Sequence, residues 1–95
     1  MRPLSRFLNF EMFSAYILQS EITKKYYVGS CETIAERLSR HNAKLVKSTK
    51  SDVPWTVVHI EHFETRSEAQ SREMQIKSWK SRSAIEKLIK NISKF

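Results

Sequence analysis

Two β-prone runs, Phe13 to Leu18 and Tyr26 to Gly29, stand either side of a polar stretch holding Ser20, Thr23 and Lys24. That spacing constrains the chain more than any other feature. An alternating run, a short polar break and a second run that ends in the chain's only glycine predict an antiparallel hairpin. If Tyr16 faces Tyr27 across that ladder, both hydroxyls emerge on one face. The chain has 95 residues, room for one domain, and at 40% hydrophobic and 28% charged it can build a small core and is too apolar for intrinsic disorder.

The remaining segments alternate in type. Glu32 to Asn42 reads as a helix with Ile34, Ala35 and Leu38 as its buried stripe, and with Arg37 and His41 one turn apart on another face. Asn42 to Asp52 is a polar, basic loop carrying Lys44, Lys47 and Lys50, and it ends at Pro54. Trp55 to Phe63 is β-rich, a third strand that Pro54 can start but not interrupt. Thr65 with Glu68, and Ser83 with Glu86, have capping-box spacing and open two helices. The last helix has Ile85, Leu88, Ile89 and Ile92 on one face. The predicted order is β-β-α-β-α-α, an α+β domain over residues 12–95, with residues 1–11 as an N-terminal extension of no clean period.

Seventeen Lys and Arg against ten Asp and Glu give a net charge of +7, which favours a polyanionic partner such as nucleic acid. No apolar run has the length of a membrane span. Glu11 interrupts the apolar stretch after Arg2 and Arg6 and no small-residue cleavage site follows, so no signal peptide is expected. Cys31 is the single cysteine, expected at a helix start; with His41, His59 and His62 it makes a poor zinc set. A reducing cytoplasm is the expected compartment.

Each conspicuous residue has a bland account beside a functional one. Glu73 lies between Ala69 and Ile76 in the inward stripe of its helix, where an unpaired carboxylate is costly. It is either a boundary residue pairing with Lys77 at i+4 or a metal or catalytic carboxylate. Tyr16 and Tyr27 suit cross-strand packing. Arg37 and His41 suit a solvated helix face, and the three lysines suit a solvated loop. His59 and Glu61 share one strand face, expected to be exposed, and Trp79 is a core or edge aromatic.

As an ordered set, these residues resemble the signature of the GIY-YIG nuclease superfamily, in its small stand-alone bacterial branch. Ser14-Ala15-Tyr16 stands for Gly-Ile-Tyr and Tyr27-Val28-Gly29 for Tyr-Ile-Gly, followed by Arg37, His41 and Glu73; the match runs from about Phe13 to Ile89. The resemblance implies a three-stranded antiparallel sheet flanked by helices and metal-dependent hydrolysis of DNA phosphodiesters. It further implies that Glu73 holds one Mg²⁺ or Mn²⁺, Tyr16 activates the attacking water, and Tyr27 orients the phosphate or the water network. Arg37 would neutralise the scissile phosphoryl group and His41 assist the proton chain, while Lys44, Lys47, Lys50 and Lys77 are expected on the DNA backbone. Low sequence specificity, or a protein partner that supplies it, is expected, with a role in DNA repair or processing. Three positions depart from the family: Ser14-Ala15, Cys31 where a hydroxyl is usual, and Ile85 to Leu88 where relatives carry an asparagine, the nearest here being Asn91. The second reading is therefore a non-catalytic nucleic-acid-binding module that keeps the fold.

Overall fold

The computed structural model describes residues 12–93, with side chains as far as Asn91, so the extension at 1–11 and the side chain of Ile92 lie outside the described residues. Three strands, β1 (Phe13–Ser20), β2 (Tyr26–Cys31) and β3 (Trp55–Phe63), form one antiparallel sheet in the order β2-β1-β3. Among the described residues, three helices, α1 (Ile34–Asn42), α2 (Arg66–Ser78) and α3 (Arg82–Ser93), complete the predicted order, with a 3-10 turn at Lys50–Asp52.

Ser20 makes the hairpin. Its hydroxyl oxygen accepts the backbone N–H groups of Ile22 and Thr23 and donates to the Asp52 carbonyl at 2.7 Å, so one buried side chain closes the turn and ties it to the basic loop. The register corrects the expected tyrosine pair. Tyr16 lies opposite Gly29 and Leu18 opposite Tyr27, so the two tyrosines are diagonal neighbours on one face.

The alternation in β1 also needs correction, because Ser14 to Leu18 are all buried. As the central strand, β1 is covered on both faces. Tyr16, Leu18, Cys31 and Trp55 form a core with Ile34 and Leu38 of α1 on one face. Ile17, Val28 and Ile76 form another with Trp79, Ile85 and Leu88 against the opposite face. Ala35, expected in the α1 stripe, is exposed, since α1 begins at Ile34 rather than Glu32 and turns Leu38 and His41 inward. Cys31 ends β2 instead of starting a helix, and its thiol is buried.

Thr65 and Glu68 form the expected reciprocal capping box of α2. Ser83 does not cap α3. Ser81 does, its hydroxyl accepting the Ala84 N–H at 3.2 Å, because the chain turns into the helix two residues earlier. At the other end of α1, Leu45 N–H bonds the Arg40 carbonyl and Lys44 N–H the His41 carbonyl, a Schellman closure with Lys44 at φ 63 in the left-handed position. Asn42 then clamps β3, accepting the Trp55 N–H at 2.6 Å and donating to the Trp55 carbonyl at 3.1 Å.

Candidate active site

Gly29 creates the site. A Cβ there would stand 2.5 Å from the Tyr16 hydroxyl oxygen and 2.7 Å from its Cζ, so the Tyr16 ring lies across β2 only because the opposing residue has no side chain. The ring is 1% exposed, and its hydroxyl reaches the imidazole of His41 on the last turn of α1, at 3.2 Å from Nε2. Tyr27 packs edge-on against the same imidazole, with ring centroids 4.8 Å apart. Three of the residues named from sequence thus pack into one cluster.

The hydrogen-bond network around Thr49 assigns the His41 tautomer. A carbonyl only accepts, so Thr49 Oγ1 gives its proton to the Val46 carbonyl at 3.3 Å and accepts from His41 Nδ1 at 2.8 Å. Nδ1 carries the proton, and Nε2 presents its lone pair to the Tyr16 hydroxyl. His41 is 1% exposed, which overturns the solvated-face account of this residue. Burial, followed by the positive charges of Arg37 and Arg40, holds its pKa below the ordinary histidine range, so it is neutral at pH 7. Burial above all, with Tyr27 adding, pushes the Tyr16 phenol well above its usual range, while Arg37 pulls the other way. Burial likewise raises the Cys31 thiol against Arg37. Arg37 therefore bears on Tyr16, Cys31 and His41 alike.

Glu73 stands elsewhere. Side chains alternate along β2, so Ser30, next to Gly29, points to the face that α2 covers. Its hydroxyl donates to Glu73 Oε1 at 2.6 Å, and Lys77 Nζ donates to Oε2 at 2.5 Å. The expected i+4 pair with Lys77 is present, and the Glu73 side chain is 19% exposed. Neither of these bonds runs to the Tyr16–Tyr27–His41 group. Gly29 and Ser30 are consecutive residues of β2 whose side-chain positions face opposite ways, so the two halves lie on opposite faces of that strand. Lys44, Lys47 and Lys50 are exposed on the segment after α1, whose last residue, Asn42, follows His41.

One residue before Glu73, Arg72 joins a part-buried network. Its Nε donates to Glu61 Oε1 at 2.8 Å, and Glu61 Oε2 pairs with His59 Nε2 at 2.7 Å. His59 is 5% exposed, so the expectation of an exposed His59 and Glu61 face fails: that face of β3 lies under α2. Burial pushes the Glu61 carboxyl up, but the hydrogen bonds from Arg72 and His59 outweigh it and hold it below its usual range. The network ties α2 to β3 one residue before Glu73. Thr49, Ser30 and Arg72 are the site residues that sequence reasoning missed. Short polar side chains in a loop or strand carry no periodic signal, and only Arg72's position beside Glu73 marked it.

Residues 12–89 match the GIY-YIG catalytic domain. The chain belongs to the GIY-YIG family. It is 43% identical over 54 residues to a UPF0213 protein of Haloquadratum walsbyi, covering 56% of this chain and 61% of the relative's length. A UPF0213 protein of Listeria welshimeri is 40% identical over 63 residues, 65% of this chain and 69% of that one. The solution NMR structure of a UPF0213 protein from Bacillus halodurans is similar in fold, with a TM-score of 0.54 and 26% identity over 83% of each chain. Family and architecture are those that the ordered residues pointed to. Among the described residues no helix is long and apolar enough to cross a membrane.

Proposed function

We propose that this GIY-YIG domain is an endonuclease that hydrolyses DNA phosphodiester bonds with one Mg²⁺ or Mn²⁺, in DNA repair or processing in the cytoplasm. The observation that carries the reading is the directed chain Tyr16 O–H to His41 Nε2, His41 Nδ1–H to Thr49, beside Arg37. A buried phenol with a raised pKa is a poor base on its own at neutral pH. With a neutral imidazole poised to accept its proton, the Tyr16 oxygen can take a proton from water as it gives its own to Nε2. No free phenolate then accumulates in the apolar pocket. Arg37 would offset charge on the phosphoryl group, where an ordered cation is worth most.

The donor set suits a hard divalent ion. The described residues hold no cluster of three or more His, Cys, Asp or Glu. Mg²⁺ is commonly held by one or two carboxylates and substrate phosphates while keeping several waters, and Glu73 Oε2 already faces a cation, the Lys77 ammonium. Such an ion supplies Lewis-acid stabilisation of the charge that develops on phosphate. Glu73 is the residue that would hold it, with the Ser30 hydroxyl on its Oε1.

Lys44, Lys47 and Lys50 would carry the DNA backbone. We assign this unit low sequence specificity, with DNA shape or a protein partner supplying discrimination. The alternative, a module that binds nucleic acid without cutting it, is favoured by one observation: Asn91 is exposed on α3 beside Trp79 and Leu88, with no contact to Glu73. Incubating the protein with labelled single-stranded, duplex, flap and branched DNA, in Mg²⁺, Mn²⁺ or EDTA, separates the two. Cleavage of at least one substrate that EDTA abolishes supports the enzyme; tight binding with no cleavage supports the module.

A further inference from the structure

The two oxygens of Glu73 are held by groups of opposite character. Ser30 is a short side chain on a strand hydrogen-bonded into the sheet, and its hydroxyl meets Oε1 at 2.6 Å. Lys77 reaches Oε2 with a long side chain that is 51% exposed, from one turn further along α2. Exposed i,i+4 ion pairs are weak, since solvent screens them and ordering the lysine costs entropy. One contact is built in and the other is exchangeable.

We infer that Ser30 is a positioning residue for the metal-binding carboxylate, and that Lys77 is a resident cation on Oε2 which a divalent ion displaces. The inference rests on the reading that Glu73 holds the metal. Ser30 takes one oxygen permanently and aims the other away from β2. Lys77 neutralises that second oxygen while no metal is bound. Once displaced, the ammonium is free to meet a DNA phosphate, which leaves the metal site and the DNA site sharing one side chain. Metal binding and DNA binding then favour each other, and the coupling is reciprocal.

The test needs no cleavage. Mn²⁺ broadens the amide signals of residues near its site, so titrating it into DNA-free protein locates weak binding and measures its midpoint. Selective broadening around Ser30 and Glu73 is expected. In Ser30→Ala the midpoint should rise about tenfold, the lower end for loss of a group that orients a ligand, and Ser30→Thr, which keeps the hydroxyl, should restore it. Lys77→Met should lower the midpoint about two- to fivefold, consistent with the small energy of an exposed pair. Lys87→Met, with the same loss of charge on α3, should leave it where it was. A Ser30→Ala midpoint equal to wild type, or a Lys77→Met midpoint no lower than that of Lys87→Met, would overturn the inference while leaving Glu73 as the metal carboxylate. Equal broadening in wild type and Glu73→Gln would overturn the metal assignment itself, and this inference with it.

Discussion

Tyr16 is the residue on which the proposed chemistry turns, and its packing and its hydroxyl can be separated. The ring fills the space over Gly29 and touches the α1 core, so Tyr16→Phe keeps the packing and removes only the bond to His41. We expect a folded protein whose cleavage rate falls about 10² to 10⁴, the range for losing a positioned proton-transfer group. Single-turnover cleavage beside a melting curve checks both halves. His41 sets the pH dependence. Its pKa is lowered in the folded protein, so below the ordinary value of about 6.5 the unfolded chain binds a proton that the native state does not. Stability from this group is complete above that pH and is lost as pH falls through the lowered native value. Cleavage should fail over the same acid range, since protonated Nε2 has no lone pair for Tyr16. In His41→Asn the acid-side slope of stability against pH should be shallower than in wild type, by no more than one proton per molecule; denaturation at stepped pH reads it directly. Tyr16, Tyr27 and His41 were legible in the sequence because they recur in a known order. Their partner Thr49 was not, because a buried threonine in a basic loop differs from an exposed one only in where the chain folds it.

At the scale of elements, strand and helix identity followed from pattern, and the capping box of α2 from local chemistry. What pattern missed were the consequences of stacking. The alternation in β1 implied one buried face, but a strand with a layer on each side is buried on both. The end of α1 carries no glycine or asparagine signal at its left-handed position. Lys44 holds φ 63 there, a conformation that costs a non-glycine residue about 1 kcal/mol or somewhat more. Lys44→Gly should therefore stabilise the fold by about 0.5–1 kcal/mol in denaturant titration, part of the relief being offset by the greater freedom of glycine in the unfolded chain. A loss of stability would mean that the lysine side chain contributes to the fold at this corner.

For the whole molecule, the surplus of +7 dominates any encounter with DNA, because neutralising phosphates releases the counterions held along the duplex. Lys44, Lys47 and Lys50 lie exposed on the loop that follows His41, where phosphates flanking the candidate site would pass. Replacing all three with Ala should lower the magnitude of the log K against log salt slope on duplex DNA by about 2 to 3 units. An unchanged slope would remove the loop from the interface. The central claim, that the two halves beside Gly29 and Ser30 work together in metal-dependent hydrolysis, is tested most directly by Glu73→Gln, assayed for cleavage in Mg²⁺ and for DNA binding in EDTA. Gln keeps an oxygen for the Ser30 hydroxyl, and the Lys77 pair it removes is half exposed, so the fold should survive with little change in stability. Cleavage should be abolished while binding in EDTA equals or exceeds that of wild type, because a negative charge beside the phosphates has gone. Undiminished cleavage by a folded Glu73→Gln protein, or a loss of stability of about 1 kcal/mol or more with binding falling in parallel, would contradict the claim.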